Sequence, residues 1–263
     1  MHTEPRPEQG SSQRIRWKVE VVSPTSGRKN LPCRIHQWAD TKLEATLYSA
    51  SAQRINQVIA LVIIVVFATA LKINIGLPPT IIVGASAVVG FLCWRITNLR
   101  RPIDPVRTTL LFLFTTAALH VHLFEEHHNL FGPAMSRLFN IAFPDERFMQ
   151  IFVFGLPTVY FLTAIGLLLR LPLAAFAAWF IFIGPGIAEF THFIFPFIAP
   201  ALEPSNPASI SAVIHGVPIA DMRNHHIAVT GKYYFPGLYT AILPMIPGGY
   251  SVWWLLKQRK ENP

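Results

Sequence analysis

Between Ala118 and Asn129 the chain reads Ala-Leu-His-Val-His-Leu-Phe-Glu-Glu-His-His-Asn, which sets four histidines and two glutamates within nine residues. The run closes an apolar stretch long enough to cross a membrane. An ionisable side chain at bilayer depth costs on the order of 2.5–3.5 kcal/mol on insertion scales, so such residues face inward and take partners. On a helix His122, Glu125, Glu126 and Asn129 share one face, because positions three, four and seven apart fall close together. A histidine and two carboxylates converging in apolar surroundings make half of a metal site. Further along, Glu189 and His192 aim a carboxylate and an imidazole at one point, with the glutamate-x-x-histidine spacing that helical bundles use to hold metal ions. His225 or His226, in a later loop, would close the site. The candidate ligands are therefore His122, Glu125, Glu126, Glu189, His192 and His226, for a divalent metal, iron or zinc. Glu126, Glu189 and Tyr234 are the candidate catalytic residues: either glutamate left off the metal would serve as general base. Tyr234 is read equally well as an aromatic residue of the membrane interface.

The chain around these residues is apolar. Of its 263 residues 52% are hydrophobic and only 14% are charged, where a soluble domain carries about 25% charged residues. The formal charge of +8 would fit nucleic acid if the chain were soluble. In a membrane protein it is explained by basic cytoplasmic flanks, and nucleic acid is not an expected partner. Cys33 and Cys93 stand far apart without a CxxC pattern, so neither a disulfide framework nor a zinc finger is indicated.

The expected architecture is all-α: a polytopic membrane helix bundle of about six transmembrane helices behind a polar N-terminal tail. Residues 1–54 read as a cytoplasmic tail with no cleavable signal sequence, disordered over 1–12, with a short strand over 15–22 and an interfacial helix over 38–54. Residues 55–256 form the transmembrane domain and 257–263 a cytoplasmic tail. Six apolar runs, each near the roughly 20 residues that cross a bilayer, fall at Ile55–Ile73, Leu77–Trp94, Thr108–Phe124, Ile151–Leu169, Leu171–Ala199 and Tyr234–Leu256. Pro185 and Pro247 should kink the last two. With the N-terminus inside, the inner segments hold 17 lysines and arginines and the outer ones five. That bias puts both termini in the cytoplasm of a bacterial-type inner or plasma membrane. Two long outer connections follow. Residues 125–150 should include an amphipathic helix lying on the membrane, and residues 200–232, with His215 and Asp221, a binding loop or lid. In this topology both polar clusters lie at the outer level.

These residues also carry a family likeness. His122-Leu-Phe-Glu125-Glu126 resembles the signature of the HXXEE-domain membrane proteins. The resemblance extends to Glu189-x-x-His192 and to Tyr234-Phe-Pro-Gly-Leu-Tyr-Thr-Ala241, covering roughly residues 105–256. It implies a membrane location and a shared polar site, and it implies no particular reaction. The leading expectation is an intramembrane metalloenzyme, a di-iron oxidoreductase or a zinc hydrolase, acting on a lipid or other apolar substrate from the bilayer. The alternatives are a proton- or metal-coupled transporter, and a scaffold in which the cluster is a buried structural network.

Overall fold

The computed structural model describes residues 45–261. The strand expected over 15–22, the disorder expected over 1–12, Cys33 and most of the interfacial helix expected over 38–54 lie outside the described residues.

Helix α1 (Ala50–Ile75) begins at Ser49, whose side chain accepts a hydrogen bond from the Ala52 amide at 3.3 Å. It ends at Gly76, which holds φ +89° ahead of Pro78 and Pro79. Helix α2 (Leu77–Ile96) returns alongside it. Asp104 then caps α3 (Pro105–His128) through the Arg107 amide, with Pro105 in the first turn where its missing N–H has no helical partner. After the nine-residue α4 (Phe131–Phe139) come α5 (Asp145–Leu168) and α6 (Pro172–Phe197). Helices α1, α2, α3, α5 and α6 are each long and apolar enough to cross a membrane. Their exposed faces carry side chains such as Val65, Phe114 and Phe161, each about two-thirds exposed, which fits a lipid bilayer better than water.

After the one-turn α7 (Ile227–Thr230), the last helix, α8 (Ile242–Glu261), begins eight residues later than the apolar run suggested, because Tyr234–Ala241 is spent in turns around Pro236 and Gly237. It packs along α3 and crosses α6 where two glycines meet: a Cβ on Gly248 would stand 2.7 Å from the Gly186 Cα. Such close backbone approach through small residues is the usual basis of helix association in lipid.

The two long connections differ from expectation. Helix α4 does not lie on a membrane surface, since every residue from Gly132 to Leu138 is buried. It is covered by a β-hairpin, β1 (Ile210–Ile214) against β2 (Val217–Met222), turned through His215 and Gly216. Both turn residues have positive φ, 51° and 79°, the signature of a two-residue type I′ turn. Arg137, 1% exposed, pins the cover. Its guanidinium donates to the carbonyls of Leu202, Glu203, Asn206, Ala208 and Met222. Every donor of the fork is used on backbone that would otherwise be a loose loop.

Candidate metal centre

Two helices supply the site. On α3, His122 and Glu126 are four apart and face the bundle interior; their side chains are 0% and 5% exposed. On α6 the positioning is less ordinary. The helix is α-helical to Ile181, widens into a π segment at Phe182–Ile187, and tightens into a 3₁₀ turn at Ala188–Phe193. Pro185 sits in the wide turn, where it has no N–H to place in an α-helical ladder. In the 3₁₀ turn that follows, residues three apart eclipse one another. Glu189 and His192 therefore stack directly toward α3.

The four side chains meet. Each offers one ligand atom to a set lying within 4.8 Å of one another. His192 Nε2 is 2.9 Å from Glu126 Oε1, and His122 Nε2 is 3.2 Å from Glu189 Oε2 and 3.6 Å from Glu126 Oε1. The rings of His122 and His192 stand edge to face, 4.7 Å between centroids. Donors bound at about 2.0–2.2 Å in a tetrahedron stand roughly 3.3–3.6 Å apart, close to these separations.

Hydrogen bonding sets which ring nitrogen faces inward. His192 Nδ1 lies 3.1 Å from the Glu189 carbonyl oxygen, which only accepts, so Nδ1 carries the proton. Nδ1 of His122 lies 3.1 Å from Thr240 Oγ1, and that hydroxyl has its proton directed at Glu125 Oε2, 2.6 Å away. Thr240 is thus left to accept from His122 Nδ1–H. In the neutral rings Nε2 is then the atom free to bind an ion beside the two carboxylates, and in a protonated ring His192 Nε2 donates to Glu126 Oε1 at 2.9 Å. His122 Nε2 is buried and makes no hydrogen bond. Two imidazoles and two carboxylates in apolar surroundings need positive charge among them, supplied by protons on the rings or by an ion, and the donor set fits a divalent metal ion.

Glu125 does not join this set. Adjacent residues on a helix are about 100° apart around its axis, and Glu125 faces α8 and the turn before it. Its oxygens accept from the Tyr234 hydroxyl, the Tyr239 amide, and both the amide and hydroxyl of Thr240. Tyr234 is therefore bonded to Glu125. His226 also lies outside the group of four, its amide bonded to the Asn224 side chain. His225 packs between the rings of Tyr234 and Phe235. Burial, together with Arg223 and Arg137 nearby, pushes its pKa down to about 4. His120 bonds to the Thr116 carbonyl in its own helix, and His127 to Asp145.

Two further residues complete the site: Thr240, to which the sequence assigns no role, and Gly237, which with Pro236 is expected to set the entry into the last span. Thr240 is the only link between Glu125 and His122 among the described residues. Gly237, at φ +91°, lies against both rings: a Cβ there would come 2.7 Å from His122 Cε1 and 2.8 Å from His192 Nε2. On the opposite side Glu126, Glu189 and His192 form one wall of a cavity of about 120 Å³, whose other walls are mostly apolar, including Phe67, Leu119, Phe152 and Phe180. Comparisons with family models, curated proteins and solved structures find no match to this chain.

Proposed function

We propose that this chain is an integral membrane metalloenzyme that binds one divalent ion through His122, Glu126, Glu189 and His192 and acts on a slender apolar substrate taken from the bilayer. The observation that carries this reading is the convergence of two imidazoles and two carboxylates from two helices, with ligand atoms within 4.8 Å of one another in apolar surroundings. A bound ion there would act as a Lewis acid and activate coordinated water or dioxygen. Donor count bears on its identity. Four protein donors fill a tetrahedral zinc site, whereas iron or manganese at six-coordination keeps two positions open. The set thus favours iron and an oxidoreductase, with one ion in place of two, since only two carboxylates reach the cluster. A zinc hydrolase would require Glu126 or Glu189 to leave the metal and serve as general base.

The cavity supports the substrate class. It is much smaller than the 300–1,000 Å³ of ordinary ligand pockets, and it fits a narrow chain. A transporter finds less support. The buried hydroxyls of Thr109, Thr115, Ser86 and Ser251 donate to carbonyls of their own helices, at Pro105, Leu111, Ile82 and Pro247, so these four do not extend a proton path from the cluster. Among the described residues the buried hydroxyls of Thr108 and Tyr160 have no partner. The family resemblance to HXXEE-domain proteins belongs to the same proposal. It is supported by the fact that His122, Glu126, Glu189 and His192, which carry two of the three similar motifs, are the residues that meet. We further take α8 as a sixth crossing, with both termini cytoplasmic.

The test is metal analysis of the detergent-purified protein. One iron, manganese or zinc per chain is expected. Glu126→Gln and Glu189→Gln should each lower occupancy at least about tenfold while helical content is kept. A folded protein without metal after expression in metal-supplemented medium would leave a proton-bridged network, and the enzyme reading would fall.

A further inference from the structure

A second site lies at the other end of the bundle. Pro105 and His122 are 17 residues apart on α3, about 26 Å along its axis. At the Pro105 end the α2–α3 connection and the last turns of α8 enclose a cavity of about 890 Å³. Arg100 and Arg101 line it from the connection, and Lys257 and Arg259 from α8. Among the described residues no carboxylate lines it, and Arg100, Arg101 and Arg259 make no ion pair. Lys257 Nζ stands 5.5 Å above the Trp253 ring, and Trp253 is itself 54% exposed. Of the uncharged polar residues of the wall, Thr97 donates to the Cys93 carbonyl and Asn98 accepts from Trp179 Nε1. Three arginines, Arg100, Arg101 and Arg259, thus line the cavity beside aliphatic residues that include Ile96 and Leu256.

Basic flanks of membrane helices follow from topology alone, but topology does not require that three arginines converge on one concavity. Guanidinium groups prefer phosphate because their planar forks bind two of its oxygens. We infer that this cavity binds a phosphate-bearing anion, presented by an anionic phospholipid whose headgroup meets the arginines while its glycerol and first methylenes lie on the aliphatic residues. The inference does not rest on the metal centre.

Native mass spectrometry of the full chain in detergent tests it, with phosphatidylglycerol, phosphatidylcholine and inorganic pyrophosphate as separate probes. Phosphatidylglycerol should be retained in preference to phosphatidylcholine. The double variant Arg100→Ala/Arg101→Ala should reduce its affinity about 30-fold, and Arg95→Ala, an exposed cation outside the cavity, should leave it unchanged. Metal content and circular dichroism of each variant show that the rest of the protein is intact. If the variants lose helical content, protection of wild-type Arg100 and Arg101 from phenylglyoxal by phosphatidylglycerol, but not by phosphatidylcholine, is the supporting result. Binding of pyrophosphate without phosphatidylglycerol would assign the cavity to a free phosphate anion and overturn the lipid. Equal retention of both lipids, or an Arg95→Ala loss as large as that of the double variant, would show only a diffuse surface charge and overturn the site.

Discussion

At the scale of single residues, the centre depends on what stands behind each imidazole as much as on the imidazole itself. An Nε2 ligand needs its Nδ1 proton fixed, and in His122 that task falls to Thr240, whose own proton is committed to Glu125. Removing the hydroxyl at nearly constant volume tests the arrangement. Thr240→Val is expected to weaken metal binding about 10–100-fold in chelator competition, the range seen when outer partners of a metal-bound histidine are lost, and Thr240→Ser should restore it. A threonine that merely packs would be replaced by valine with little change. Gly237 is constrained twice, by a left-handed backbone and by the two rings it touches. Gly237→Ala should therefore displace His122 and His192 and abolish stoichiometric metal while the membrane helices still form, read by metal analysis beside circular dichroism. The four residues of the cluster were among the six candidate ligands that spacing singled out in the sequence, with Glu125 and His226 the two that do not join them. Thr240 was not legible: a lone threonine before an apolar run has the same appearance whether it caps, packs or supports a histidine. The choice between Glu125 and Glu126 was equally hidden, since both lie within reach of one broad helix face and only the packing of α8 shows which is turned inward.

At the scale of elements, the membrane helices are readable because a bilayer demands long apolar runs, and five of the expected runs correspond to helices whose ends differ by a few residues. The change from π to 3₁₀ within α6 is not readable, since it comes from Pro185 acting together with the Gly186–Gly248 contact, and the second of these lies 62 residues away. The hairpin was missed for a related reason. Its strands are short, and they are held by Arg137, whose charge in a loop gives no hint that it is buried. Arg137→Met should leave five carbonyls without their donor. Hydrogen exchange across residues 202–222 is expected to accelerate strongly while exchange in α3 and α6 stays slow; unchanged exchange would mean that the hairpin stands without it. The same cover contains a titrating group. His225 is held neutral in the folded protein down to about pH 4, whereas an unfolded histidine protonates near 6.5. The unfolded state binds the additional proton between these values, so stability conferred by this segment is present above about pH 6.5 and is lost as pH falls toward 4. His225→Phe should flatten that dependence when proteolysis of the 200–232 segment is followed against pH.

At the scale of the whole molecule, the decisive question is the number of crossings, because it determines which side of the membrane each site faces. Five helices meet the demands of length and apolarity, and an odd number would put the two chain ends on opposite sides. Helix α8 carries a charged last turn, yet its contacts run the length of α3. Thr240, just before it, bonds to Glu125 and His122 near the end of α3. Tyr250 accepts from Arg107 at 2.9 Å, and Trp254 lies under the Arg107 guanidinium at 4.7 Å, both at the start of α3. A helix that begins at one end of α3 and finishes at the other would cross wherever α3 does, which supports the proposed sixth crossing, and its apolar residues Ile242 and Ile246 are exposed on the way. Snorkelling lets the terminal lysine and arginine reach water without shortening the span. Reporter fusions after residue 261 and within the tail before residue 45 are therefore expected on the same, cytoplasmic side, with reporters at Lys72 and Arg137 on the other. That outcome would set the basic cavity against the anionic inner leaflet and the histidine–glutamate centre near the outer surface. Chain ends on opposite sides would remove α8 from the spanning set, and a cytoplasmic reporter at Arg137 would invert both sites together.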